Sequence, residues 1–493
     1  MKVGSSPLTG LLGCPQEIID AILAELRPNL ASIASVTRVC RRLNSAATPN
    51  LYGSVIIWRP IHADRLARTI KGNPRLIPFI RMLQLHYRAI PHSMTNERHM
   101  AILVNTLSFE STIGKLPNLS SLVMKTDCFP NPVNLRLFRK PDNLSNLRSC
   151  EISIRLQPNL IELPSGSNDI PGSLGHDSSL WHRWILKPVD TAFFHSGLES
   201  LALSHCVIRG HRQNIPKNTP TRSTSLKSLM LLNCEISTSG LARLMEYPRA
   251  LESFTFKGES RGNEEDMHQG YTRQMYVEAL QAQSSSLEKL NLDIYMPWGK
   301  MINLTSFSVL KELTVTPSHL AGSRHGSEYL DHKTAPMRGL LPPSLEHLTF
   351  WDPRSGYYQH EDYSLYENSY LKFIIHVGAN SRLLRDFCLW DVYRLIASGE
   401  LPNLSHFTCV LAPPLPIGYY ATSETVTARI RQEEEAFNAR MFDTTRTFIE
   451  AFRELGVQLS LLHDELPVSK INDWASPREL NSHRSLVNRS TFW

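Results

Sequence analysis

The expected fold is α/β: three short N-terminal helices, then an irregular solenoid with parallel strands on its concave face and helices and loops outside, closed by a C-terminal helix. Three observations lead to it. An apolar phrase with strand-like alternation recurs eleven times between Ile80 and Cys409. Apolar residues at helical spacing fill the stretch from Cys14 to Tyr52. One apolar stripe, Val426, Ile430, Phe437, Met441, Phe448, Phe452 and Leu455, runs up to Gly456, a C-terminal stop. The expected boundaries are a tail at 1–11, a helical unit at 12–57, the solenoid at 58–423, a capping helix and last strand at 424–466, and a polar tail at 467–493.

The first helix follows from local chemistry. Pro15 suits its start, Glu17 favours the positive end of the dipole, and Ile18, Ile19, Ile22, Leu23 and Leu26 fall at helical spacing before Pro28. Asn29 is placed to cap a second helix carrying Leu30, Ile33 and Val36. A third is expected through Val39, Cys40, Leu43 and Ala46, ending at Pro49. A unit of about 45 residues sits near the lower limit for an independent core. This one is therefore expected to gain stability by docking, on a partner or on the rest of the chain.

Pro-x-Glu-Ile at Pro15 to Ile18, the spacing of Ile22 and Leu26, Val39-Cys40-Arg41-Arg42 and the closing Leu51-Tyr52 together resemble an F-box. That module binds the Skp-type adaptor of SCF-type cullin-RING ubiquitin ligases. Two positions depart from the family pattern: Cys14-Pro15 stands where Leu-Pro is usual, and Leu43 where an aromatic is common. Both substitutes are apolar. The resemblance implies adaptor contact by Cys14, Pro15, Ile18, Ile22, Leu26, Leu30, Val39, Cys40 and Leu43. The alternative is an ordinary helical cap on the solenoid.

Beyond it, Ser54 to Trp58 reads as a strand and Ala63 to Leu76 as a helix ended by Asn73-Pro74. The recurring phrase then begins at Ile80, Leu119, Leu147, Leu198, Leu226, Leu251, Leu287, Leu310, Leu345, Leu384 and Leu404, each followed three and five residues later by further apolar residues. The last two apolar positions alternate with polar ones, the signature of a strand with one buried face. Starts lie 20 to 51 residues apart, the steps of 28 and 25 around Leu226 being close to a leucine-rich-repeat period. Leu226 to Leu244, with Cys234 at the turn and Gly240-Leu241 opening a return helix, resembles the cysteine-containing repeat subtype found behind F-boxes. One repeat cannot bury its own apolar edge, so copies must stack and their array must be capped. Val457, Leu459 and Leu461 alternate in a way that fits a last strand.

Composition narrows function by exclusion. Fifty-two basic against 46 acidic residues is a slight excess for 493 residues and does not ask for nucleic acid. The first nine residues lack the apolar run of a signal peptide, and no stretch reaches the roughly 18 apolar residues of a membrane span, so an intracellular protein, cytoplasmic or nuclear, is expected. The eight cysteines include no Cys-x-x-Cys pair and fit reduced core thiols. No phosphate loop, dinucleotide fingerprint, nucleophile elbow or His-Glu-x-x-His occurs, and the nineteen histidines lack ligand spacing. Neither a cofactor, a metal nor an enzyme is expected.

Binding is the remaining class. The residue after each last strand apolar shares a face with the residue between the two apolars, away from the core. That column contains Lys257, Asp293, Thr316, Trp351 and Trp390, with Thr349 and Cys388 beside it. These seven are the candidate target-binding residues, with Trp351 and Trp390 as exposed aromatic anchors or, alternatively, as rings buried under loops. The family resemblance then implies a substrate-recognition subunit: the F-box holds the adaptor, the repeats hold a target protein. The alternative is a leucine-rich-repeat scaffold outside any ligase.

Overall fold

The computed structural model describes residues 14–26, 29–87, 112–126, 144–154, 184–186, 192–208, 220–259, 273–295, 301–321, 337–351, 389–411 and 447–463. The expected tails and residues 424–446 of the expected capping helix lie outside these. The chain divides into two compact units, Met1–Leu251 and Glu252–Trp493. Both are α/β, and in both the strands of a parallel sheet follow one another in chain order.

The first unit opens with α1 (Gln16–Glu25), α2 (Leu30–Val36) and α3 (Arg41–Gly53). Asn29 caps α2 as expected, its side-chain oxygen accepting the Ser32 N–H at 3.1 Å. Ile19, Leu23, Ile33, Leu43 and Ala47 form the core of the three helices, with Cys14, Leu26, Val36, Cys40, Ala46 and Leu51 packed around it. The apolar residues of α1 therefore divide: Ile19 and Leu23 point inward, Ile18 and Ile22 outward.

Two details differ from expectation. Val39 lies before α3, in a turn held to it by Asn44, whose side-chain amide donates to the Thr37 carbonyl at 2.7 Å. And α3 runs through Pro49 to Gly53. Proline has no N–H, so one intrahelical hydrogen bond is missing there. Leu51, packed on the helical core, holds the turn beyond it.

From α3 the chain passes directly into β1 (Ser54–Ile57), then α4 (Pro60–Gly72), a 3-10 turn (Pro74–Phe79) and β2 (Met82–Tyr87). There follow β3 (Ser121–Thr126), β4 (Ser149–Ile154), β5 (Trp184–Leu186), β6 (Ser200–Ser204), β7 (Cys206–Ile208), β8 (Ser228–Leu232), β9 (Glu235–Ile236) and α5 (Thr238–Met245). A parallel ladder joins β1, β2, β3, β4, β6 and β8 in that order. A second, smaller one joins β5, β7 and β9. It was not expected, because strands of two or three residues carry too little alternation to be read.

The second unit contains β10 (Ser253–Glu259), α6 (Arg273–Ala279), β11 (Lys289–Tyr295), β12 (Glu312–Val315), α7 (Pro317–Ala321), β13 (His347–Trp351), α8 (Leu389–Ala397), β14 (His406–Leu411), a helical segment at 447–454 and β15 (Gln458–His463). Its six strands pair in parallel in chain order. Gly456 (φ +75°) ends the helical segment, and the Val457 N–H returns to the Phe452 carbonyl at 3.0 Å, so the expected stop and last strand are both present.

Ten of the eleven phrases are strands, with both inward residues buried. Between them a repeated junction appears: two consecutive N–H groups converge on one carbonyl of the previous strand entry. Ser120 and Ser121 share Arg81, Glu199 and Ser200 share Arg148, and Glu346 and His347 share Lys311. Asparagines reinforce it, Asn118 donating to the Pro78 carbonyl, Asn146 to Pro117 and Asn403 to Pro343, at 2.6 to 2.9 Å. The remaining phrase, tenth in chain order, is described only at its last residue. Leu384 and Phe387 lie outside the described residues, Leu389 opens α8, and β13 pairs directly with β14.

His319, buried in the second unit, fixes α7. Its Nε2 accepts the Ile294 N–H at 3.2 Å, which places the ring proton on Nδ1, facing the Thr316 hydroxyl. Burial first, and the charge of Arg273 second, hold its pKa well below the ordinary 6.5. The unfolded chain thus takes up a proton below about pH 6.5 that the folded chain refuses, so stability is fully present above that value and lost as pH falls. Urea unfolding of the intact chain should show a midpoint falling between about pH 7.5 and 5.5, with His319 contributing up to about 1.4 kcal/mol per pH unit. In His319→Gln this part of the slope should vanish; an unchanged slope refutes the assignment. In the first unit, Leu43→Ala should cost about 2 to 5 kcal/mol of helical-unit stability and Val39→Ala under about 0.5.

Candidate partner-docking surfaces

Among the described residues nine large apolar side chains are exposed, and seven of them fall between Ile18 and Ile61. Four belong to the helical unit: Ile18 (49%), Ile22 (40%), Leu30 (46%) and Val39 (67%). Ile18 and Ile22 lie one turn apart on the outer side of α1. Arg42 ties this helix to α3 by donating to the Cys14 carbonyl at 2.6 Å. The unit thus gathers five buried apolar residues and six partly buried ones into a small core and leaves these four in water.

The nine candidate adaptor residues separate accordingly. Pro15, Ile18, Ile22, Leu30 and Val39 are exposed, and Cys14, Leu26 and Cys40 are half-buried against the helical core. Leu43 is a correction. It is 3% exposed at the centre of that core, because position 43 lies on the side of α3 that meets Ile19, Leu23 and Ile33. It holds the helices together and offers nothing to a partner.

The outward face of the second unit's sheet carries four of the target-binding candidates, Lys257, Asp293, Thr349 and Trp351. Lys257 and Asp293 stand side by side in register on β10 and β11, both half-buried. Thr349 sits in a row of short polar side chains with Thr255, Asn291, Thr314, Thr408 and Ser460. Trp351 ends β13 with its backbone in register with Val410; its side chain, like Cys388, lies outside the described residues.

Thr316 and Trp390 are corrections. Thr316 is 2% exposed, since the chain turns at Pro317 into α7 and the hydroxyl is used by His319. Trp390 lies in α8, not on a strand; its ring meets Phe448 edge-on at 4.8 Å, while the residue stays 49% exposed, as expected of it. That contact belongs to an aromatic cluster with Tyr393, Phe407 and Phe452 that packs the 447–454 helix onto the sheet.

The exposed tryptophan of a sheet face is Trp58. Alternation along β1 puts Ile57 inside and leaves Ile56 (41%) and Trp58 (48%) outside, and the Trp58 ring lies against that of His86, tilted by 31° with centroids 4.6 Å apart. His86 continues in register to Lys125, Ser153, Ser204 and Leu232. The signal was present in the alternation of Ser54 to Trp58. It was missed because the column was read only from the first full phrase onward.

Chemistry is sparse on these faces. Cys150, Cys206, Cys234 and Cys409 are buried strand or turn residues; burial pushes the Cys409 thiol up to about 12, so it carries no thiolate at neutral pH. Among the described residues no group of three or more His, Cys, Asp or Glu is placed to hold a metal, and no helix is long and apolar enough to cross a membrane. Cross-strand ion pairs such as Lys125–Glu151 (2.9 Å) and Lys289–Glu312 (2.7 Å) are solvent-exposed and contribute little to stability. No protein-family model matches this chain, and no curated protein matches it either.

Proposed function

We propose that this chain is an F-box protein with degenerate leucine-rich repeats, the substrate-recognition subunit of an SCF-type ubiquitin ligase. The helical unit docks a Skp-type adaptor and, through it, a cullin-RING ligase; the outward sheet faces hold a target protein. The observation that carries the reading is the exposure of Ile18, Ile22, Leu30 and Val39, positions the F-box resemblance assigns to the adaptor. Burying four such side chains is worth about 1.5 to 3 kcal/mol each before ordering costs. The chain itself catalyses nothing in this role. It raises the rate of ubiquitin transfer by proximity, holding a target lysine near the ligase's activated thioester. Such a role places it in the cytoplasm or nucleus.

A second reading has its own support. The 3-10 turn Pro74–Phe79 packs against α3, and α3 leads without a linker into β1. Both features suit helices that serve as an N-terminal cap of a repeat scaffold outside any ligase.

Pull-down of the intact chain with a recombinant Skp-type adaptor and cullin separates the two. The ligase reading expects both proteins to be retained, and Ile18→Asp with Ile22→Asp to lower adaptor affinity at least tenfold while the thermal midpoint stays within about 2 °C. Failure of the unaltered chain to retain the adaptor, or full retention by the double variant, leaves the cap reading standing.

A further inference from the structure

The slight positive charge of the chain is not spread along it. From Arg38 to Arg81 there are nine basic residues and one acid, Asp64. This local excess of eight surpasses the excess of six for all 493 residues, so the remainder is slightly negative. Six of these cations, Arg59, Arg65, Arg68, Lys71, Arg75 and Arg81, lie on α4, its N-terminal cap, the 3-10 turn and the short link from that turn to β2, and all six are exposed. No ion pair is formed by any of them among the described residues. Asp64 offers only its main-chain carbonyl, which accepts from Arg68 Nε at 3.4 Å.

Helix geometry sets the cations against solvent. Ala63, Leu66 and Ile70 bury one side of α4, and Ile61, Arg65 and Arg68 occupy the opposite side. We propose that this basic face docks an acidic segment of a partner polypeptide. The inference is independent of adaptor binding.

Two features favour a polypeptide over other polyanions. Arg65, Arg68 and Lys71 rise about 4.5 Å per step along α4, comparable to the 5–6 Å between side chains three or four apart on a facing helix. On the same side of α4 as Arg65 and Arg68 stands exposed Ile61, which needs a carbon-rich partner of the kind that side chains supply and a sugar-phosphate backbone does not. The arginine forks pair carboxylates in bidentate fashion, as they do phosphates, so they set the sign of the partner's charge and not its class. A bilayer is disfavoured because the apolar side of α4 is already used in the protein's own core.

The test uses the intact chain and a fluorescein-labelled glutamate 20-mer, read by anisotropy, with single-stranded DNA and phosphatidylserine vesicles as parallel arms. The expected result is binding of the glutamate peptide that weakens as salt rises and falls roughly tenfold in Arg65→Glu/Arg68→Glu/Lys71→Glu. Arg65→Gln/Arg68→Gln/Lys71→Gln should lose less, with circular dichroism unchanged. A control of equal charge change at exposed sites outside the patch, Lys115→Glu/Arg249→Glu/Arg453→Glu, should keep most of the affinity. The proposal is overturned if the glutamate-reversed patch variant binds like the unaltered chain, if the control loses as much, or if DNA or vesicles bind more tightly than the peptide.

Discussion

The constraint on which both units depend is the register of a parallel ladder. A parallel pair cannot be joined by a tight turn, so every strand must be delivered back to the same end of its neighbour by a crossover. Here the delivery point is marked by two successive N–H groups converging on one carbonyl, a junction that recurs from Arg81 to Ser405. Once that point is set, alternation settles every side chain that follows. A slip of one residue would turn Leu201 and Leu203, or Leu290 and Leu292, into water.

Docking surfaces inherit this order. On β1 the outward positions are Ile56 and Trp58, and on the remaining strands of the first unit they are mostly polar or small. The helical unit obeys a different geometry with the same result: a small core takes one side of α1, and the other side remains apolar and wet. Water exposure of this kind is costly for so small a unit.

Strands were readable in the sequence because their signal is local. Leucines three and five residues apart suffice for a short strand, and Asn29 and Gly456 mark a cap and a stop through side chain and backbone conformation alone. The phrase at Leu384 differs in that its last apolar residue, Leu389, opens α8, while β13 pairs directly with β14. Thr316 and Leu43 failed for a different reason. Their burial is set by what packs against them: for Leu43 the facing helices, remote in the chain, and for Thr316 the ring of His319, only three residues on, which the turn at Pro317 into α7 brings over it. The basic face escaped notice because net charge sums over the chain, whereas binding depends on charges within about a Debye length of one another.

The pair of repeats around Cys206 and Cys234 shows how closely two stretches can coincide. A shift of 28 residues carries Leu198 onto Leu226, Leu201 onto Leu229, Leu203 onto Leu231 and Ile208 onto Ile236. The same shift carries one left-handed residue, His205, onto another, Asn233, and leaves the two cysteine sulfurs touching at 3.4 Å. Along Leu198–Ile208 and Leu226–Ile236 equivalent positions therefore follow the same backbone course. Chain length within these two stretches is held in common: a residue added to one and not to the other would carry its sulfur away from its counterpart.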